Sequence, residues 1–268
     1  MITLTKHHGL GNDFLVCDIS QVGPDAPWAA LAVQWCDRRV GIGADGLLLL
    51  GVVADDELTM VLHNADGSRA EISGNGVRCL AQAAYIAQGR TGNVNYAVHT
   101  DAGLRAVSVH SVDSVTVQAS VSMGAVATLE QPSGWAAIGA DPARPVMHLS
   151  LGNPHTVVGV DDVAAVDLLA LGTKIPQVNL EIVEAGPEVN AITMRVHERG
   201  SGITQACGSG ACASAWAAAQ WALVTPYDGE VIVHMDGGDA TVRLNQPEQG
   251  HVTLVGPAVF VAQIHIHQ

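Results

Sequence analysis

Two short loops hold the residue types that could do chemistry in this sequence. Cys207-Gly208-Ser209-Gly210 and Ser73-Gly74-Asn75-Gly76 each lead into an Ala-rich run. A Gly-x-Gly turn that opens a helix presents unpaired backbone N–H groups at the positive end of the helix dipole, which is a place for a carboxylate. The same field lowers the pKa of a thiol, so Cys207 is expected to form a thiolate near neutral pH and to act as a base or nucleophile. The competing reading is a small buried cysteine that packs the helix start. Cys79 and Cys212 lie inside the helical runs and read as packing. Glu198-Arg199 combines a carboxylate for a substrate ammonium with a guanidinium fork for a carboxylate, which reads as an amino-acid clamp or, alternatively, a surface ion pair. Asn12, Asn64, Asn75, Asn153 and Asn179 stand beside turns and strand ends, where amides could read the polar ends of a small substrate or simply shape the turn. His155, after Gly152-Asn153-Pro154, could polarise a neighbouring hydroxyl or thiol. His265-x-His267 has the spacing of a same-face strand pair without a third ligand, and His7-His8 point to opposite faces of a strand. No metal site is expected.

The elements that must hold these residues are mostly short strands. Strand-like runs recur at Leu47 to Val53, Leu58 to His63, Val94 to His99, Leu104 to Val109, Val115 to Ser120, Val178 to Val183, Ile192 to Val196, Val231 to Met235 and Val252 to Val255. The alternating N-terminal Met1 to His8 joins them. Two long helices are expected at Gly76 to Gln88 and Gly210 to Leu223, so apolar around their circumference that both should be buried. Shorter ones fit Ala26 to Arg38 and Val163 to Leu171. Strands that outnumber helices without regular alternation indicate an α+β fold.

The sequence also repeats itself. The Ser73 and Cys207 loops are related by a shift of 134 positions, half the chain, and Ala81, Ala83 and Ala84 answer to Ala215, Ala217 and Ala218. A second echo pairs Leu10-Gly11-Asn12 and Val16 with Leu151-Gly152-Asn153 and Val157. Duplication explains two ordered echoes better than chance among small residues. The expected domains are residues 1–122 with the returning 263–268, and residues 123–262.

Composition narrows the function further. The 268 residues are 48% hydrophobic and hold 12 Lys+Arg against 26 Asp+Glu, a formal net charge of -14. A nucleic-acid partner needs clustered positive charge and is excluded on that ground. The longest near-apolar stretch, Ala211 to Val224, is broken by Ser214 and Gln220 and falls short of the roughly 18 residues of a membrane span. An N-terminus without an apolar signal core and an odd, scattered set of five cysteines point to a soluble cytoplasmic protein with reduced thiols. Lys6 and Lys174 are the only lysines, neither beside a phosphate cradle, and no G-x-x-x-x-G-K or strand-linked G-x-G-x-x-G occurs. No cofactor is expected.

His8-Gly9-Leu10-Gly11-Asn12-Asp13-Phe14, Asn64-Ala65-Asp66-Gly67-Ser68, Gly74-Asn75-Gly76-Val77-Arg78-Cys79, Gly152-Asn153-Pro154-His155 and Glu198-Arg199-Gly200 to Cys207-Gly208-Ser209-Gly210 resemble diaminopimelate epimerase, in order and through to Gly256-Pro257-Ala258-Val259. The resemblance implies a cofactor-independent amino-acid epimerase of two pseudo-symmetric domains, each a curved, barrel-like mixed sheet around a central helix, with the active site between them. It implies a homodimer, and two cysteines flanking the substrate α-carbon, one removing the proton and one returning it. Cys207 matches the second cysteine. The first position is Ser73, and Cys79 cannot replace it because six helical residues carry it about 9 Å away. The implied substrate contacts are Asn12, Asn64, Gly74, Asn75, Asn153, Asn179, Glu198, Arg199, Gly208 and Ser209, and His155 and Glu198 match residues that tune the catalytic pair.

Ser73 leaves binding intact and bears on turnover, because a hydroxyl is a far weaker acid than a thiol. It can be a replacement that traps substrate, a natural serine assisted by His155, or the mark of another amino-acid substrate or of one-sided chemistry. The expected function is interconversion of L,L- and meso-diaminopimelate in lysine and cell-wall biosynthesis. The alternatives are an epimerase or racemase of another amino acid, a catalytically impaired amino-acid-binding homologue, and a Cys207–His155 thiol hydrolase.

Overall fold

A computed structural model of the chain describes residues 1–266. The chain forms two compact units, Met1–Val121 with the segment from Gly256 onward, and Ser122–Val255. The first unit contains β1 (Ile2–Gly9), β2 (Asn12–Asp18), β3 (Gly46–Ala54), β4 (Glu57–Asn64), β5 (Arg69–Ala70), β6 (Val94–Thr100), β7 (Gly103–Ser111) and most of β8 (Thr116–Ala125), with helices α1 (Trp28–Cys36) and α2 (Gly74–Ala87). The second contains β9 (Ala127–Thr128), β10 (Val146–Ser150), β11 (Pro154–Gly159), β12 (Asn179–Ala185), β13 (Ala191–Glu198), β14 (Gly202–Thr204), β15 (Glu230–Met235) and β16 (Gly238–Leu244), with α3 (Leu168–Gly172) and α4 (Gly208–Gln220). The long closing strand β17 (His251–Ile266) begins in the second unit and ends in the first.

Each unit is a mixed sheet that closes on itself. In the first, pairing runs β1–β2–β3–β4–β6–β7–β8–β17 and back to β1, a barrel of eight strands. In the second, β10–β11–β12–β13–β15–β16 continues through the start of β17, and the end of β8 with β9 returns the ladder to β10. Closure removes the exposed edges that a short-stranded sheet would otherwise present. Both units contain a matching parallel pair, β2·β3 and β11·β12.

A buried helix fills each barrel. From Gly74 to Tyr85 every residue of α2 is buried, and so is every residue of α4 from Gly208 to Ala215. Small alanines permit this close approach, and the few polar side chains find partners: Gln82 donates to the Val115 carbonyl at 2.7 Å and meets Nδ1 of buried His7 at 2.9 Å. A second layer lies outside each parallel pair. Leu47 and Leu49 of β3 join Trp28 and Trp35 of α1, while Leu180 and Ile182 of β12 join Leu168 of α3. The strands between are covered on both faces, so their inward residues, Leu48 and Glu181, point to α2 and α4.

The expected α+β architecture of two barrel-like sheets around central helices describes the structure. In detail the two long helices start two residues earlier than expected, at Gly74 and Gly208, because Ser73 and Cys207 are themselves the N-caps. The segment expected as one helix at Val163 to Leu171 is a 3-10 turn (Val163–Ala165) followed by α3, each opened by an aspartate cap. Gly256–Ala262, expected with the second half, belongs to the first, since Val259–Ala262 pair with β1. His267 and the last residue of the expected 263–268 return lie outside the described residues.

Candidate active site

The two loops adopt the same capping geometry. Ser73 (φ -134°, ψ 121°) caps α2 with its Oγ accepting from the Gly76 N–H at 3.0 Å, and Cys207 (φ -124°, ψ 113°) caps α4 with its Sγ accepting from the Gly210 N–H at 3.4 Å. Extended backbone at the cap followed at once by helix is what brings the side chain back over the first turn. Gly76 and Gly210 are needed for that return: a Cβ at Gly76 would stand 3.1 Å from the Ser73 Cβ, and one at Gly210 would stand 3.2 Å from the Cys207 Sγ.

Around Ser73 the neighbours are amides and a guanidinium. Asn75 is buried and donates to the Asn12 Oδ1 at 3.1 Å, while its own Oδ1 accepts from Arg78 at 2.8 Å. Fully buried Arg78 also donates to the carbonyls of Gly74 and Pro257, both at 3.2 Å. Asn12 opens β2 after a tight hairpin turn in which Leu10 and Gly11 have φ of 56° and 81°, the pairing expected of a two-residue loop. Its Nδ2 donates to Asp45 at 2.8 Å, and Asp45 shares Arg38 with Asp13. Lys6 pairs with Asp13 at 2.9 Å, and Lys174 is exposed.

Around Cys207 an imidazole and two carboxylates join the amides and a hydroxyl. Ser209 Oγ lies 3.6 Å from its sulfur and accepts from Asn153 Nδ2 at 3.2 Å. Asn153 Oδ1 is 3.0 Å from Nε2 of His155, whose Nδ1 is 2.6 Å from Glu181 Oε1. His155 and Glu181 are both fully buried. Asn179 Nδ2 approaches His155 Nδ1 at 3.5 Å, and its Oδ1 accepts from the Arg199 backbone N–H at 2.8 Å. Glu198 ends β13, accepts from the Thr204 hydroxyl and hydrogen-bonds with Cys207.

The electrostatics reverse the expectation for the thiol. Burial, then the charges of Glu198 and Glu181, push Cys207 well above its ordinary value, and the opposing pull of the Gly210 N–H and Ser209 is smaller. Cys207 is therefore a thiol in the free protein, where the sequence suggested a thiolate. A helix N-terminus lowers a thiol pKa only while no carboxylates are folded against it. Burial also raises the Glu198 carboxyl, with Thr204 and Cys207 partly opposing it, so Glu198 is the more basic of carboxylates and stands beside the thiol proton. Cys79 is buried and its thiol is pushed up to about 12, and Cys212 is fully buried, as packing residues should be.

The structure thus gathers Asn12, Ser73, Gly74 and Asn75 in the first unit. In the second it gathers Asn153, His155, Asn179, Glu198, Cys207, Gly208 and Ser209, with Arg199 attached through its backbone. Asn64 stands at the β4–β5 turn, where its Nδ2 donates to Ser68 Oγ at 3.0 Å. Sequence reasoning missed Arg78, Asp45, Thr204 and Glu181. Of these, Arg78 carried a usable signal, a charged residue inside an otherwise apolar helix.

The internal repeat gives each group a counterpart. The echo that aligns Asn12 with Asn153 aligns Phe14 with His155. Phe14 pairs with Gly46 across the parallel ladder as His155 pairs with Asn179, so Leu48 holds the place of Glu181. The same correspondence appears at the helices: a Cβ at Gly76 would meet Leu48 Cδ2 at 3.2 Å, and one at Gly210 would meet Glu181 Oε1 at 2.7 Å.

The chain matches the family described as diaminopimelate epimerase over residues 4–129 and 147–261. A diaminopimelate epimerase from Thermosynechococcus vestitus is 37% identical over 284 residues, covering 97% of each chain, and one from Phocaeicola vulgatus is 36% identical, covering 99% of each. Among solved structures, a hydroxyproline epimerase from Agrobacterium vitis shares the fold at a TM-score of 0.69 and 16% identity, with 99% of this chain and 90% of that chain covered. No helix among the described residues is long and apolar enough to cross a membrane.

Proposed function

The chain belongs to the diaminopimelate epimerase family, a family of isomerases, and we propose that it acts on diaminopimelate without a cofactor, exchanging the α-proton through Cys207 and inverting the centre slowly through Ser73. The observation that carries this reading is the pair of equivalent helix caps, one a thiol beside a carboxylate and the other a hydroxyl among amides.

Cys207 needs a base before it can take a proton from carbon. Glu198 supplies one: its raised carboxyl pKa favours acceptance of the thiol proton, which leaves a thiolate aimed by the Gly210 N–H. The thiolate then removes the α-proton, and N–H groups at the start of α4 are placed to hold the substrate carboxylate and stabilise the carbanion. Returning a proton from the other face falls to Ser73, whose hydroxyl would be left as an alkoxide. Its hydrogen-bond partner is the Gly76 N–H, and the amides of Asn75 and Asn12 near the loop are too weakly acidic to replace the proton readily. Inversion is the slow step. Asn12, Asn64, Asn75, Asn153, Asn179 and Arg199 supply the polar groups for a substrate with an amino-acid terminus at each end, and a shorter amino acid would leave some of them unpaired. The reading assigns the protein to cytoplasmic lysine and cell-wall biosynthesis, acting as a homodimer.

Incubation with L,L- and meso-diaminopimelate in heavy water tests it. Deuterium is expected at the α-carbon of at least one isomer. Absence of uptake from both isomers, with uptake into another amino acid, overturns the substrate assignment.

A further inference from the structure

We propose that Glu181 is a positioning residue: its Oε1 fixes the imidazole of His155 through Nδ1, and His155 in turn fixes Asn153, whose amide seats Ser209 beside the Cys207 sulfur. The inference rests on the reading of Cys207 as the group that moves the proton.

Three observations carry it. The first is continuity. Glu181 Oε1 to His155 Nδ1 is 2.6 Å, His155 Nε2 to Asn153 Oδ1 is 3.0 Å, Asn153 Nδ2 to Ser209 Oγ is 3.2 Å, and Ser209 Oγ to Cys207 Sγ is 3.6 Å. The carboxylate oxygen is the nearest partner of Nδ1, so that nitrogen carries a proton and the ring is held in one orientation. The second is the cost of the arrangement. Glu181 is fully buried, and its other oxygen, Oε2, has no hydrogen-bond partner among the described residues. A barrel that needed only filling would use an apolar side chain there. The third is the internal control: the corresponding positions of the first unit are Phe14 and Leu48, which fill the same space and leave no charge. The duplicated scaffold therefore closes without the pair, and the pair occurs in the half that presents the thiol.

The ionisable groups around His155 are Glu181 from β12, Glu198 from β13 and Cys207 at the start of α4. From β10, β15 and β16 the buried residues are the apolar Leu149, Val231, Val233, Ala240, Val242 and Leu244. Removing Glu181's charge should therefore act on His155 directly.

The test is nuclear magnetic resonance of protein labelled with 15N-histidine, with His155→Gln identifying the signal, combined with α-hydrogen exchange kinetics. In the parent, His155 is expected to carry a strongly hydrogen-bonded proton on Nδ1. In Glu181→Gln that Nδ1 proton signal should lose its strongly hydrogen-bonded character, since the carboxylate acceptor 2.6 Å away is gone. The kcat for exchange should fall at least about tenfold with KM little changed. An unchanged His155 Nδ1 proton signal in folded Glu181→Gln protein overturns the proposal. If that variant does not fold, the parent decides alone, because an unprotonated Nδ1 is incompatible with the role. The resonance measurement needs no substrate, so inactivity toward diaminopimelate contradicts the substrate reading and leaves this one standing, whereas normal turnover with an unchanged histidine signal contradicts only this one.

Discussion

The Ser73 and Cys207 loops have nearly the same backbone and the same capping bond, yet one is surrounded by Asn12, Asn75, Arg78 and Leu48 and the other by Glu198, Ser209, Asn153, His155 and Glu181. Duplication holds the geometry constant and varies the chemistry. A helix cap aims a side chain, and whether that side chain can lose or gain a proton is decided by what the neighbouring strands turn inward. On this account the Cys207 half performs proton transfer, and the Ser73 half mainly binds.

The largest effect should come from removing the thiol. Cys207→Ala is expected to lower α-hydrogen exchange by at least about a thousandfold, the scale of a lost acid–base group. Ser73→Ala should leave exchange within about threefold of the parent while depressing the already slow inversion. Parallel deuterium-uptake assays on the two variants check this, and equal losses in both would remove the asymmetry between the halves.

A smaller effect should separate the two helix starts in stability. Gly210→Ala forces a methyl to within 2.7 Å of the buried Glu181 carboxylate, whereas Gly76→Ala meets the end of a flexible Leu48 side chain at 3.2 Å. The first should cost about 2–3 kcal/mol and the second about 1 kcal/mol, the range of overpacking. Denaturant midpoints of the two variants measure the difference. Equal costs would mean that α4 can shift away from Glu181.

Much of this was legible in the sequence because helix starts announce themselves. Two Gly-x-Gly turns ahead of Ala-rich runs located α2 and α4, and the echo between them led to two similar halves. Glu181 was not legible, because a lone glutamate between Leu180 and Ile182 follows the alternation of a strand with one wet face. Only the packing of β12 between α3 and α4 buries both faces. The raised Cys207 pKa was hidden for the same reason: the sequence displays the helix N-terminus and not the carboxylates that fold against it. The sequence marks β17 only at Val252 to Val255, because Gly256-Pro257 interrupts the run of strand-forming residues. Within the barrel the Pro257 carbonyl is instead a partner of Arg78, and the strand continues to Ile266.

The central claim is that one half moves the proton readily while the other, with the Ser73 hydroxyl in place of a thiol, returns it only slowly. The ratio of α-deuterium uptake to stereochemical inversion, measured on one isomer of diaminopimelate in heavy water, tests it most directly when the parent is compared with Ser73→Cys. Uptake should outpace inversion in the parent, and Ser73→Cys should raise inversion at least about tenfold, equivalent to about 1.4 kcal/mol of barrier, with uptake little changed. Equal uptake and inversion rates in the parent, with no gain from the cysteine, would show that Ser73 already returns the proton and would contradict the account.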